Sequence, residues 1–475
     1  MSGRAAFTDL DAAAQLFRFR DAMPVNAIRH GDLRLWPALR SFLWVRLAHA
    51  SKGSRKVSSV NPYRYNIEKA WRQSYKEDLE IGELDALPEA EVDFLFFTNL
   101  RGTEQTILNG LIYNRITDPV FEAACKVGRA AKVEFIRGVG QVSLGRTHKP
   151  HFVLPSVTRQ IGHFFQVEAP GNLLKVMSDK IPAAQVNRAA FVDCVEWFFH
   201  ARSLFARVLR KIRPRIVLFI GYDHYMPLVL AARDAGVMSV DLQHGVQAGW
   251  SPLYNDWREI PPAGYDLLPD VFWVWGDDDA DNIRRVFGSR HRAVVGGFPW
   301  LRRVAATDRL DLREHSAILS GERIGLITLQ DQLVFPQLFR DIVHATRGDI
   351  RWFVKRHPKF PKIDVSGVTD AVISSEVEAE PFRSLAAQAD VHLTECSTAV
   401  VEADFEGVVN FVSGRQGAAN YRRAIARGHV FHVDTVSEFM HALARVPSAR
   451  RDGHGELVRD VDPRSVLQGL LEESR

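Results

Sequence analysis

Short runs of apolar residues, each followed by sequence that suits a helix, recur along the chain and constrain its fold more than any other feature. The first run, from Val92 to Phe97, ends in polar Thr98 and Asn99, and helix-compatible sequence follows from Glu104. A strand buried on both faces has such a near-continuous apolar sequence. Repeated strand–helix units form a parallel sheet covered by helices, so an α/β fold is predicted. Further runs of this first block span residues 132–136, 215–220, 237–241 and 271–275.

A second block of the same kind follows, and the junction lies near residues 300–318. The chain has 475 residues, of which 46% are hydrophobic and 25% charged, so two globular domains are expected. We predict two Rossmann-like domains that face a cleft, with a helical basic segment at 1–88 and domains at 89–305 and 306–475. Strands of the second domain are predicted at 324–329, 351–355, 371–374, 390–394 and 408–412.

The N-terminal segment is basic, although the whole chain has a net charge of only +4, which argues against a nucleic-acid partner. Residues 1–70 contain 12 Lys and Arg against 5 Asp and Glu. A helix is predicted between Leu35 and Leu47, with Arg40 and Arg46 among its apolar residues. Two interpretations are open: the helix lies on the anionic surface of the inner membrane, or it packs against its own domain.

The three cysteines, Cys125, Cys194 and Cys396, are far apart and form no C-x-x-C pair. A disulfide framework or zinc knuckle is therefore not expected, and a reducing cytoplasm fits this cysteine usage. No signal-peptide pattern and no long uncharged apolar stretch is found. We expect a cytoplasmic protein, peripheral at the inner membrane if the N-terminal helix binds lipid.

Polar side chains follow two strands of the second block. The strand 351–355 ends in Lys355 and continues into Arg356, His357 and Pro358. Ligands of open parallel sheets bind beyond the carboxyl ends of the strands, so this cationic corner suits an anion. Pro358 ends the strand, because its nitrogen cannot donate to the sheet.

The strand 390–394 leads into Ser397 and Thr398, where a helix is predicted to begin. Hydroxyls and free backbone N–H groups at such a position bind phosphate, whereas the plainer interpretation is that Ser397 only caps the helix. Glu402, one turn later, suits ribose hydroxyls or is an ordinary exposed helical glutamate.

In the first block, the strand 237–241 leads into Gln243, His244 and Gly245. Gly245 allows a sharp turn that aims His244 at the cleft, as a general acid or base or as a hydrogen-bond donor to phosphate. A buried structural histidine is the alternative.

Two acidic residues also follow strands: Glu104 after the first, and Asp223 after the strand 215–220. Either carboxylate would deprotonate an acceptor hydroxyl or act as a nucleophile. The alternatives are that Glu104 only occupies the first turn of a helix and that Asp223 only orders a loop.

Several common cofactor signatures are absent from the sequence. Gly296 and Gly297 lack the G-x-G-x-x-G spacing, and neither a phosphate-binding P-loop nor an H-E-x-x-H zinc motif occurs. The run Asp277 to Asp279 suits Mg²⁺ but more simply begins a helix. We expect no metal and no cofactor.

The order of these motifs resembles that of bacterial GT-B glycosyltransferases of surface polysaccharide synthesis, over about residues 90–420. Within that class, the His-Pro pair followed by a Ser-Thr helix start resembles the CMP-sugar users, namely sialyltransferases and the Kdo transferases of capsule and lipopolysaccharide synthesis. CDP-glycerol polymerases have a similar arrangement. The motifs are Leu242-Gln243-His244-Gly245, Trp275-Gly276, residues 295–299, Lys355-Arg356-His357-Pro358, Cys396-Ser397-Thr398 and Glu402.

The resemblance implies that residues 306–475 bind a nucleotide-sugar and residues 89–305 an acceptor glycan. It places His357 and Pro358 along the nucleotide phosphate, Ser397 and Thr398 on it, Glu402 near the ribose and His244 at the reacting sugar. The expected function is metal-independent glycosyl transfer to a growing bacterial surface glycan, with a CMP-sugar favoured as donor. The alternatives are a sugar-nucleotide epimerase or hydrolase of the same fold, and a non-catalytic polysaccharide-binding or export scaffold.

Overall fold

Two parallel sheets, one after the other along the chain, form the framework of the protein. The computed structural model describes residues 8–53, 57, 61–63, 89–99, 105–108, 110–135, 152–154, 167–246, 251–303, 310–316, 321–330, 334–357, 363–365, 367–446 and 455–474. The prediction of two Rossmann-like α/β domains is confirmed.

The first sheet has seven strands, all paired in parallel. The strands up to residue 295 are β1 Arg29–His30, β2 Leu33–Arg34, β3 Val92–Asn99, β4 Gln105–Leu108, β5 Leu111–Asn114, β6 Ala130–Phe135, β7 Phe152–Leu154, β8 Pro214–Ile220, β9 Met238–Leu242, β10 Val271–Val274 and β11 Arg292–Val295. The order across the sheet is β11-β10-β9-β8-β3-β6-β7, while β1–β2 and β4–β5 are separate antiparallel pairs.

Helices cover both faces of this sheet. Side chains of a strand alternate between faces, and in β3 Leu95 and Phe97 join one apolar cluster while Phe94 and Phe96 join another. The sheet is therefore buried on both sides, as its apolar sequence predicts. The helices are α1 Asp9–Asp21, α2 Trp36–Ser51, α3 Thr117–Val127, α4 Leu173–Lys180, α5 Arg188–Ile212, α6 Tyr222–Asp234, α7 Asp277–Phe287 and α8 Trp300–Arg303, with 3-10 turns at Val25–Ala27 and Pro182–Ala184.

The second sheet has six parallel strands in the order β14-β13-β12-β15-β16-β17. Its strands are β12 Arg323–Thr328, β13 Ile350–Lys355, β14 Ala371–Val372, β15 Val391–Thr394, β16 Val409–Val412 and β17 Val430–His432. The helices are α9 Leu312–His315, α10 Gln337–Ala345, α11 Ser375–Ala379, α12 Phe382–Ala386, α13 Ala399–Phe405, α14 Gly414–Asn420, α15 Arg422–Ala426, α16 Val436–Ala444 and α17 Pro463–Glu473.

Helix α2 packs into the core of the first domain. Its Trp36, Phe42 and Leu47 are fully buried, and Arg40 and Arg46 are only 0% and 2% exposed. The interpretation that this helix lies on a membrane surface is therefore wrong, because its arginines face protein rather than lipid headgroups. Among the described residues, no helix is both long enough and apolar enough to cross a bilayer.

The segment after β3 differs from the sequence prediction. A helix was expected after Glu104, but β4 and β5 form an antiparallel hairpin there. Gly110 in the connection has a φ of +76°, a conformation that favours glycine, and β-branched Thr106, Ile107 and Ile112 suit strands. Turn geometry and side-chain branching thus decide against a helix.

The last helix, α17, leaves the second domain and packs on α3 of the first. Leu467 and Leu470 are buried in the apolar cluster that contains Phe94. Burial of a leucine contributes about 1.5–3 kcal/mol, so this contact is a substantial part of the first domain's stability. Helix α17 thus lies within the predicted range 306–475 but packs on the first domain.

The two domains are in direct contact. Val401 and Phe405 of α13 pack into the first domain's apolar cluster. Arg427 forms an ion pair with Asp278 (2.6 Å), and Arg423 donates to the Asp278 backbone carbonyl (2.9 Å). The carboxyl edges of the two sheets are thereby held opposite one another.

Candidate functional site

Two of the predicted motifs approach each other across the domains at Gly245 and Thr398. A Cβ atom at Gly245, just after β9, would lie 3.8 Å from Thr398 Cγ2 at the start of α13. Both residues follow parallel strands, at the edge where open α/β sheets bind ligands. The strand-end loops of the two domains therefore meet, and we treat this junction as the candidate site.

Asp223 and His244 converge beside Gly221, in the turn between β8 and α6. Gly221 has a φ of +75°. A Cβ there would lie 3.1 Å from Asp223 Oδ1 and 3.5 Å from His244 Cε1, so both side chains reach the same small volume. The structure thus brings together these two predicted residues: Asp223 in the first turn of α6, after β8, and His244 in the loop after β9.

His224 is a neighbour of Asp223 that the sequence interpretation did not use. Its Nε2 lies 3.5 Å from Asp223 Oδ2, and the two side chains are 17% and 9% exposed. The His224 imidazole therefore lies beside the Asp223 carboxylate, in addition to His244 near the Gly221 turn. The adjacent Asp-His pair at a strand end was the signal available in the sequence.

Asp241 is a buried carboxyl group beneath this site. Its Oδ1 accepts a hydrogen bond from the Gly221 N–H (2.9 Å) and its Oδ2 accepts one from the Tyr254 hydroxyl (2.9 Å). Burial, together with the negative charge of Asp223, raises the pKa of Asp241 well above its usual value, despite the Tyr254 hydrogen bond. Asp241 fixes the Gly221 turn and thereby the position of Asp223.

Helix α2 supports the same site from behind. The Ser41 hydroxyl donates to the backbone carbonyl of Asp223 (3.0 Å). The Arg40 guanidinium donates to the carbonyls of Pro252 (2.6 and 2.9 Å) and Asn255 (2.8 Å), and burial lowers its pKa to about 10. These bonds hold the loop that carries Tyr254, so the N-terminal segment is part of the site's framework.

Lys355 and Arg356 of the predicted anion-binding corner are engaged within the second domain. The Lys355 ammonium donates to the backbone carbonyls of Val377, Glu378 and Glu380 (3.3, 2.7 and 2.6 Å). Arg356 forms a two-bond ion pair with the Glu378 carboxylate, which lowers the pKa of Glu378 and raises that of Arg356. Both cations thus stabilise the end of α11.

The other two residues of that corner are His357 and Pro358. His357 is half-buried, and Pro358 lies outside the described residues. The corner and the Ser-Thr turn follow β13 and β15, which are separated by β12 alone. Two strand spacings correspond to about 10 Å, so the two loops lie at the same edge without Arg356 reaching across.

Ser397 and Thr398 lie at the start of α13. The Ser397 hydroxyl accepts a hydrogen bond from the Ala399 N–H (3.2 Å), while the N-cap residue of α13 is Thr398. Tyr421 donates to the Ser397 carbonyl, and Asn420 donates to the Cys396 carbonyl (3.3 Å). The turn is therefore held rigidly, while Thr398 is exposed toward Gly245.

Glu402 forms an ion pair across the domains with Arg115, a residue that sequence analysis missed. The distance from Arg115 Nη1 to Glu402 Oε1 is 3.6 Å, and the side chains are 31% and 14% exposed. Burial raises the pKa of Glu402, although the positive charges of Arg115 and Arg383 oppose that shift. The alternative of an exposed helical glutamate is wrong, because Glu402 faces the first domain.

Two further predictions concern acidic residues. Glu104 lies outside the described residues. Asp277, Asp278 and Asp279 occupy the first turn of α7, where the helix dipole favours negative charge, as the simpler interpretation held. In the described part of the chain, no three His, Cys, Asp or Glu side chains form a group that could hold a metal ion.

Comparisons with known proteins found solved structures with a similar fold but no protein related by sequence. No family model and no curated protein matches this sequence. Solved structures with a similar arrangement include the UDP-GlcNAc 2-epimerase from Methanocaldococcus jannaschii, with 12% identity over 80% of this chain and 99% of that chain and a TM-score of 0.49. Another is S. aureus MnaA with UDP, with 11% identity over 81% and 96% of the two chains and a TM-score of 0.47.

A glycosyltransferase is also among the similar structures. The UDP-glucosyltransferase from Polygonum tinctorium has 10% identity to this chain, and the match covers 82% of this chain and 94% of that chain with a TM-score of 0.44. Scores and identities at this level do not identify a substrate or a reaction for this chain. The assignment of two Rossmann-like domains rests on its own sheets.

Proposed function

We propose that this protein is a glycosyltransferase that binds a nucleotide-sugar at the junction of its two domains. The observation that carries the proposal is the convergence of Asp223 and His244 beside Gly221, at the edge where Gly245 meets Thr398. A carboxylate and an imidazole face a cleft bounded by a rigid Ser-Thr turn. Such a cleft between Rossmann-like domains suits a ligand with a phosphate group and a sugar.

In the proposed reaction, Asp223 accepts the proton of an acceptor hydroxyl. The acceptor oxygen forms a bond to the anomeric carbon of the donor sugar, and the bond from that carbon to the phosphate oxygen breaks. The phosphate leaves with the electron pair. His244 donates a hydrogen bond to the charge that develops, and closure of the cleft keeps water from the donor.

The proposal also specifies the class of donor and the class of acceptor. The order of His357-Pro358 and Ser397-Thr398 favours a CMP-sugar donor, and a bacterial surface glycan in the cytoplasm is the proposed acceptor. Described residues near the site provide no metal-ligand group, so the proposed transfer uses protein donors to stabilise the leaving phosphate.

A thermal-shift panel of CMP, CDP, UDP, GDP and their sugars tests the proposal. A ligand at 100 times its Kd stabilises a protein by about 2.7 kcal/mol, which gives a measurable rise in Tm. We expect one nucleotide and its sugars to raise the Tm above the others. Failure of every nucleotide to bind would contradict the proposal and favour a non-catalytic scaffold.

Turnover of the donor separates transfer from epimerisation. A transferase consumes its nucleotide-sugar slowly when no acceptor is present, by hydrolysis alone. An epimerase converts the nucleotide-sugar to its epimer without any acceptor. Detection of an epimerised nucleotide-sugar by NMR would overturn the assignment as a transferase.

A further inference from the structure

The source of positive charge for the leaving phosphate is an open question at this site. Phosphoryl groups leave readily when preorganised donors or cations stabilise their charge. Lys355 and Arg356, the cations that the sequence places nearest, donate to the carbonyls and the carboxylate around α11. A cation elsewhere in the cleft would supply this charge without breaking those contacts.

Arg115 of the first domain contacts α13, the helix of the second domain that begins at the Ser-Thr turn. It lies between the separate β4–β5 hairpin and α3, in the connection from β3 to β6, and its Nη1 lies 3.6 Å from Glu402 Oε1. Glu402 is four residues beyond Thr398, and residues at this spacing share one face of a helix. Arg115 thus lies across the cleft from the face of α13 that begins at the Ser-Thr turn.

The turn that carries Arg115 is rigid. Asn114 Oδ1 accepts hydrogen bonds from the N–H groups of Ile116 (2.9 Å) and Thr117 (3.1 Å), and Asp118 Oδ2 accepts one from the Asn114 N–H (2.7 Å). Asp118 also forms an ion pair with Lys132 at 2.9 Å, and both side chains are only 1% exposed. The backbone of Arg115 is therefore fixed on both sides.

The Arg115–Glu402 contact is a loose ion pair. Its separation of 3.6 Å exceeds that of a hydrogen bond between charged groups, about 2.7–2.9 Å, and 31% of the Arg115 side chain is exposed. A guanidinium binds phosphate through two parallel hydrogen bonds, with more energy than in a loose ion pair. A phosphate group in the cleft would compete favourably with Glu402 for Arg115.

We propose that Arg115 is the cation that binds the phosphate of the nucleotide-sugar, and that Glu402 holds it while the site is empty. This inference rests on the proposed function, because it assumes a nucleotide in the cleft. The first domain then supplies the charge for a nucleotide that the second domain binds, and a productive site requires both domains.

Titration calorimetry with a nucleotide and its nucleoside tests Arg115. The probes are the tightest binder among CMP, CDP, UDP and GDP and the corresponding nucleoside, which lacks phosphate. The ratio of the nucleoside Kd to the nucleotide Kd isolates the contribution of the phosphate contact. Hydrogen bonds to charged groups contribute enough that Arg115→Ala should reduce this ratio about tenfold to a hundredfold, and Arg115→Lys should restore part of it.

Two variants separate phosphate binding from a structural ion pair. Glu402→Gln removes the same ion pair but leaves Arg115, so the ratio should stay at least as large as in the wild type. Arg427→Ala removes a different ion pair between the domains, with Asp278, and should leave the ratio unchanged. If Arg115→Ala and Glu402→Gln changed the ratio equally, the pair would be structural and the inference wrong.

The outcomes also distinguish this inference from the proposed function. Absence of any nucleotide binding by the wild type would contradict the proposed function itself. Wild-type nucleotide binding with an unchanged ratio in Arg115→Ala would contradict the role of Arg115 alone. If Arg115→Ala fails to fold, Arg115→Lys and Glu402→Gln still test the inference. The ratio should fall below the wild-type value in Arg115→Lys and stay at least as large as in the wild type in Glu402→Gln.

Discussion

Asp223 and His244 meet at Gly221 because glycine has no side chain there. Asp223 Oδ1 and His244 Cε1 lie 3.1 and 3.5 Å from the position that a Cβ of residue 221 would occupy. The backbone at 221 also has a left-handed φ of +75°. One residue thus determines both the turn and the space in which the carboxylate and the imidazole approach each other.

Replacement Gly221→Ala should impair turnover as well as stability. The new methyl group would displace Asp223 or His244, and the left-handed backbone strains any L side chain at a cost of about 1 kcal/mol. Donor consumption and the free energy of unfolding are the measurements. Gly288→Ala is the matched control, since Gly288 has a φ of +73° and no atom within 4 Å of its Cβ position. Equal turnover in the two variants would contradict the assigned site.

Replacement Asp223→Asn should reduce turnover about a hundredfold to ten-thousandfold, the usual contribution of a general base. The amide has nearly the same shape as the carboxylate but cannot accept the acceptor proton. Nucleotide affinity should change little, because the proposed contact of Asp223 is with the acceptor hydroxyl and not with the nucleotide. Asp234→Asn, at the other end of the same helix α6, is the control and should retain activity. Normal turnover in Asp223→Asn would exclude this residue as the base.

Replacement Arg356→Ala should affect stability rather than nucleotide binding. The Arg356–Glu378 pair is about one quarter exposed, and such pairs contribute about 1 kcal/mol. Arg356 lowers the pKa of Glu378, so the contribution is present above the ordinary pKa of 4.5 and is lost as the pH falls through the lowered value. Urea unfolding at pH 7 and at acidic pH measures this loss. A marked fall in nucleotide affinity would instead support the cationic corner as a phosphate site.

Replacement His392→Gln should make stability less dependent on pH. His392 is fully buried between Thr328 and Asn410, and burial lowers its pKa from 6.5 to about 4. The unfolded chain then binds a proton that the folded chain does not, so stability is complete above pH 6.5 and about 3 kcal/mol is lost as the pH falls through 4.

The measurement for His392 is the slope of the unfolding free energy against pH between 4 and 6.5. The slope should be smaller in His392→Gln than in the wild type, even if the variant is less stable at every pH. Val192→Gln, at an exposed apolar position, serves as the control and should keep the wild-type slope. An unchanged slope in His392→Gln would show that another group titrates.

The strand framework was predictable because buried parallel strands are short, apolar and followed by polar residues. The runs at 215–220 and 390–394 therefore correspond closely to β8 and β15. The hairpin at residues 105–114 was not predicted, because turn geometry at Gly110 outweighed the helix-compatible pattern. Sequence alone did not reveal that α17 returns to the first domain, since its apolar face suits either domain.

Sequence position indicates where short side chains at strand ends lie better than it does for long side chains. Asp223 and His244 are placed by the backbone immediately after a strand, so sequence position was nearly sufficient. Lys355 and Arg356 have long side chains that turn toward carbonyls and a carboxylate on α11, which no local pattern specifies. Arg115 belongs to no recognisable motif, and its significance comes from a residue on the other domain.

The return of α17 has a consequence for synthesis on the ribosome. Leu467 and Leu470 complete an apolar cluster whose other members include Phe94 and Ile216, so the first domain lacks part of its core until α17 has emerged. The second domain, whose strands end at β17, has its whole sheet available sooner. In a nascent chain the first domain would therefore complete its core only after the second domain has been synthesised.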